Sequence, residues 1–72
     1  MPHPLLKNAD FLTAALSQSF VSALQLEADG MYSQVGVGRV EQYSEEYVRL
    51  KSYDGSVSHF PREGTKFQLK KS

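Results

Sequence analysis

From Phe20 to Leu69 the apolar residues recur at two-residue spacing, and each run is cut short by a glycine, a proline or a pair of acids. Alternation of that kind belongs to half-buried strands. It restricts the chain to short antiparallel strands joined by tight turns. "FVSALQLE" sets Phe20, Leu24 and Leu26 on one parity and Val21, Ala23, Gln25 and Glu27 on the other, although a helix continued through Glu27 competes because Ala23, Leu24 and Leu26 also favour helix. "ADGM" is a turn in which Gly30 takes positive φ. "YSQVGVGRVEQY" alternates through Val35 and Val37 and shifts parity to Val40, with Gly36 and Gly38 at the shift; we expect a bend there that brings all three valines to the core. "SEE" turns the chain, "YVRLKSY" returns with Val48 and Leu50 inward, and "DG" turns it again into "SVSHF". Pro61 interrupts pairing, and "KFQLK" closes the sheet with Phe67 and Leu69 on one face.

Ahead of the strands the period changes. Residues 1–8 carry prolines and no period and read as an irregular arm. Residues 9–18 read as one amphipathic helix, capped by Asn8 or Asp10, with Phe11, Leu12, Ala15, Leu16 and Ser19 on its apolar stripe. The expected fold is mainly β: a single domain over residues 1–72 with one N-terminal helix and five short, strongly bent strands across 20–70.

A chain of 72 residues buries a small share of its surface, and its core is marginal without a staple. With no cysteine there is neither a disulfide nor a thiolate metal site, and two histidines, His3 and His59, are too few for a metal cage. Self-association is the remaining staple. No run approaches the roughly 18 apolar residues of a membrane span, and the N-terminus lacks the basic flank and apolar run of a secretory signal, so a cytoplasmic setting is expected. Net charge is zero, which argues against nucleic-acid binding by bulk electrostatics. The charge is weakly polarised: residues 1–36 hold Lys7 against Asp10, Glu27 and Asp29, while residues 37–72 hold seven cations against five acids.

A helix followed by five bent antiparallel strands resembles the Sm-like family. Gly38, Val40, Tyr43, Ser44, Tyr47, Val48 and Leu50 follow the spacing of that family's first motif; Phe60, Pro61, Arg62, Glu63, Gly64, Phe67 and Leu69 are similar to the second, with one residue inserted between Arg62 and Gly64. "NADFLTAAL" resembles the opening of the family's bacterial Hfq branch. The resemblance implies a small barrel that assembles into a ring and binds single-stranded RNA, or DNA, through loops at its pore. It places Tyr47 where a side chain stacks on a base and Arg62 where a guanidinium is supplied; Ser44, Gly64 and Lys66 complete the implied site. Two departures stand out. Ser44 and Val48 occupy the positions of the acid and asparagine that read uracil, and Pro61 and Arg62 stand in the region where Hfq has Lys-His.

Structural readings stand beside the functional ones. Tyr47 also reads as an amphipathic strand residue, Arg62 as a solvated turn charge, His59 as structural, Gly38 as a backbone device, and Lys66, Lys70 and Lys71 as solubilising. Glu45 and Glu46 are adjacent and point apart, no serine sits in a nucleophile elbow, and neither histidine has an orienting acid, so an enzyme is not expected. We expect a cyclic homo-oligomer of about five to seven copies, closed by the edges of the last two strands. The alternative is a protein-interaction or structural module on the same scaffold, without nucleotide binding.

Overall fold

The computed structural model describes residues 4–70; His3 and Lys71 lie outside them. The elements are β1 (Pro4–Leu5), α1 (Asn8–Ser17), β2 (Phe20–Leu26), β3 (Tyr32–Tyr43), β4 (Tyr47–Lys51), β5 (Val57–Pro61) and β6 (Thr65–Leu69). They form one antiparallel sheet in the order β1-β6-β2-β3-β4-β5, with five of its strands at the positions read from the sequence. The sixth is a correction: the arm pairs with β6, Pro4 opposite Gln68 and Leu5 opposite Phe67. Leu5 is buried, so Pro4 does not keep this stretch from forming an edge strand, where a missing N–H donor is tolerated.

Helix α1 begins where the Asp10 carboxylate accepts from the N–H groups of Leu6 and Lys7, both at 3.0 Å. It ends at Gln18, which takes left-handed angles (φ 54, ψ 35) while the Ser19 and Gln18 N–H groups bond back to Ala14 and Ala15. That is the Schellman arrangement, built here without its usual glycine. The buried stripe is Phe11, Ala14 and the partly covered Ala15. Leu12 and Leu16, expected on the same stripe, lie on its exposed flank because three- and four-residue steps from Phe11 select 14 and 15.

Strand β3 departs most from expectation. Ala23 pairs with Gly36 and Leu24 with Gln34, so Val35 is an extra residue; Val40 pairs with Leu50 and Gln42 with Arg49, so Glu41 is another. These bulges bend the strand. Gly36, Gly38 and Val40 face inward, Val37 is half-buried, and Val35 is exposed. The glycines are inward because other groups use their space. The Phe60 ring lies over Gly36, and the Lys51 carbonyl lies against Gly38.

The sheet curls far enough for Phe60 of β5 to meet Phe67 of β6 edge-on at 6.4 Å, with Phe11 against Phe67 at 5.4 Å. It is not closed into a barrel by hydrogen bonds. The core beneath the helix is Leu5, Phe11, Ala14, Val21, Ala23, Val40, Val48, Leu50, Phe60 and Phe67. The outer edge of β5 is unpaired among the described residues, whereas β1 holds part of the β6 edge that self-assembly was expected to use.

Candidate nucleic-acid interface

Four of the five residues expected to contact a nucleic acid meet at one end of the sheet. The Ser44 hydroxyl accepts from the N–H groups of Glu46 and Tyr47, each at 3.2 Å, and fixes the β3–β4 turn. Gly64, at φ 85, completes the β5–β6 turn. The two turns are joined by the Arg62 N–H, which donates to the Glu46 carbonyl at 2.9 Å.

The Arg62 side chain is occupied by the protein itself. Its Nη1 donates to Asn8 Oδ1 and to the Ser44 carbonyl (2.7 Å), its Nη2 donates to the Leu6 carbonyl (3.1 Å), and its plane covers the Phe11 ring at 4.7 Å. One guanidinium thus ties together the arm, the helix start and a turn. Tyr47 is half-buried with its ring 5.4 Å from that of His59. The Arg49 guanidinium in turn lies 2.9 and 3.1 Å from His59 Nε2. Around the turns the exposed charges are Glu45, Glu46 and Glu63, which repel phosphate. Lys66 is not part of the cluster. It reaches along the outer face to the Tyr32 ring, 4.4 Å from its centroid, at the far end of β3.

The cations are concentrated elsewhere. Val21, Ala23, Val40, Val48, Leu50 and Phe67 point into the core, so their strand neighbours Phe20, Arg39, Arg49, Lys51 and Lys66 point outward, with Lys70 continuing beyond β6. Of the eight acids, only Glu41 lies on a strand; Asp10 is in the helix, and Glu27, Asp29, Glu45, Glu46, Asp54 and Glu63 are in the turns. The outer face therefore carries Arg39, Arg49, Lys51, Lys66 and Lys70 against Glu41, which pairs with Arg49 at 3.8 Å. Zero net charge conceals a basic sheet face rimmed by acidic turns.

Across that face runs a registered row. The Lys70 N–H donates to the Phe20 carbonyl at 2.8 Å, Phe20 pairs with Arg39, Arg39 with Lys51, and Lys51 with Val57. Tyr53, from the β4–β5 turn, stacks on Phe20 with centroids 4.8 Å apart, and the Arg39 guanidinium lies 6.0 Å from the same ring. A cleft of about 410 Å³ opens there, lined by Gln18, Ser19, Phe20, Val37, Tyr53 and Lys70. Gln18 also lines a second cleft of about 450 Å³, with Arg39, Lys51 and Glu41. Beside Tyr53, the Asp54 carboxylate accepts from the Ser56 hydroxyl (2.7 Å) and N–H (3.0 Å), which holds its pKa below the usual carboxylate value.

No local sequence pattern marks Phe20 or Tyr53 as a site residue. The available signal was the sorting of charge by element: acids in turns, cations at outward strand positions. Charge summed over the two halves of the chain does not show this sorting. No protein-family model, no curated protein and no solved structure matches this chain. Among the described residues no helix is long and apolar enough to cross a membrane, and no cluster of three or more metal-ligating side chains occurs.

Proposed function

We propose that this chain binds single-stranded nucleic acid, RNA or DNA, on the outer face of its sheet, as a divergent module of the Sm-like kind in a cytoplasmic setting. The observation that carries this is the segregation of charge: five cations on one face against a single acid, in a chain whose net charge is zero. Aromatic rings among those cations supply what a single strand offers and a duplex hides, the flat faces of unstacked bases. The helix-then-five-strand order supports the Sm-like part of the proposal. The turn cluster carries less of it than the resemblance implied, because Arg62 is already bonded and its neighbours are acidic. Assembly is retained in narrower form: copies associate through the free edge of β5.

The test is titration of labelled oligo-U, oligo-A and single-stranded DNA at several salt concentrations. Five cations neutralising phosphates give a slope of log K against log salt of about −3.5, at roughly 0.7 per single-strand phosphate. Absence of binding to every oligonucleotide at low salt refutes the proposal and leaves the interaction-module alternative.

A further inference from the structure

The outer face contains a pair of residues that works against the fold. Arg39 and Lys51 are directly opposite one another on neighbouring strands, both exposed, and among the described residues neither forms an ion pair. Like charges facing each other across a ladder are destabilising. The nearest acid on the face, Glu41, is the bulged residue and is turned to Arg49 at 3.8 Å. Tyr53, from the β4–β5 turn, is 90% exposed although its ring stacks on Phe20, the row's neighbour of Arg39. A large aromatic ring in water and two uncompensated cations are each unfavourable alone. Together they match the two halves of a nucleotide: a flat base and an anionic phosphate.

We infer that Tyr53 and Phe20 seat one unpaired base, and that Arg39 and Lys51 clasp the adjoining phosphate. The ligand is a nucleotide unit within a single strand. The two clefts meet at Gln18, so base and phosphate lie on either side of that residue, with Lys70 at the outer rim of the base cleft. Stacking on Tyr53 is indifferent to base identity, and the clasp is indifferent to sequence, so the seat anchors a strand without selecting one. The inference rests on the single-strand function proposed above and adds the location of the seat. It also accounts for the like-charge pair, since a bound phosphate turns mutual repulsion into two attractions.

The experiment uses the full chain, an oligo-uridine and a matched oligonucleotide carrying 2-aminopurine, with thermal melting run in parallel. Lys51→Glu converts the like pair into an opposite pair. It is expected to melt at or above the wild-type temperature, bind at least tenfold more weakly at low salt, and flatten the salt slope by about 1.4, two charges at roughly 0.7 each. Tyr53→Ala, at an exposed position, is expected to melt as wild type, bind about five- to a hundredfold more weakly and lose the 2-aminopurine quenching that base stacking produces. Tyr53→Phe keeps the ring and is expected to keep both. If wild type binds and Tyr53→Ala and Lys51→Glu bind equally well, the seat is refuted while the function stands. If wild type binds no oligonucleotide, the function is refuted and the seat with it. Loss of binding by Lys51→Glu with a lowered melting temperature overturns the claim that the pair is an unfavourable one kept for its ligand.

Discussion

Gly38→Ala puts the sheet's curvature to a quantitative test. A Cβ built on Gly38 lies 2.6 Å from the Lys51 carbonyl oxygen and 2.8 Å from its carbonyl carbon. Both are backbone atoms of the paired strand β4, so relief requires a shift of the strand itself, and Arg39 is registered with that same Lys51. Overpacking in a well-packed interior costs about 1–3 kcal/mol, and immovable backbone places Gly38→Ala at or above the top of that range. Gly36→Ala is the internal comparison. Its Cβ would lie 2.5 Å from Phe60 Cζ, the far end of a side chain that can swing away, so about 1–2 kcal/mol is expected. Gly30→Ala has nothing within 4 Å and suffers only from φ 85, a left-handed strain of about 1 kcal/mol. The expected order of loss is Gly38, Gly36, Gly30. Urea unfolding of the three variants measures it, and a loss of about 3 kcal/mol at Gly38 corresponds to roughly 12–24 °C in melting temperature for a domain of this size. If Gly38→Ala is no less stable than Gly30→Ala, β3 and β4 do not approach as described, and the curvature built on that approach is wrong.

Arg62→Ala should lower stability by about 2–3 kcal/mol in urea unfolding, since it strands acceptors on Leu6, Asn8 and Ser44 at once; Arg62→Lys should recover little, because an ammonium cannot reproduce the fork. Asp54 has its folded pKa lowered by Ser56, so its contribution to stability is present above the unfolded carboxyl range and is lost as pH falls through the lowered value; an Asp54→Ala variant should show a shallower loss of melting temperature on acidification. Val57→Lys, on the free edge strand, should shift the sedimentation of any assembly toward monomer while leaving the melting of the monomer unchanged, and a wild type that sediments as monomer at micromolar concentration removes the assembly.

The parts of the fold that were legible are those fixed by neighbours in sequence. Gly30 and Gly55 have positive φ (85 and 88), in keeping with the ADG and DG turns, and the alternation of Val48 with Leu50 and of Phe67 with its neighbours names inward positions correctly. Illegible were features fixed by distant partners. Val35 and Glu41 are extra residues only relative to β2 and β4, so the alternation of β3 alone points Val35 to the core, the wrong side of the sheet. The residues bonded to the Arg62 side chain lie 56, 54 and 18 positions away, which no local pattern encodes. The base seat is of the same kind. Phe20 and Tyr53 are 33 positions apart, and only the curl of the sheet stacks them.

The use made of Arg62 bears on how a cysteine-free chain of 72 residues holds together. Among the described residues the arm before α1 contributes only Leu5 to the core, so packing alone holds it weakly. Arg62 offsets this with one side chain: through Leu6 it holds the arm, through Asn8 the first turn of the helix, through Ser44 the β3–β4 turn, and its apolar faces complete the packing over Phe11. Ordering one guanidinium thus fixes three separate segments, at less entropy than three separate ion pairs would require. A side chain so engaged cannot also release its donors to a phosphate without loosening the arm. On the proposed function the binding surface is built from cations with no such duty, and Arg39, Lys51 and Lys70, which form no ion pair among the described residues, are those cations.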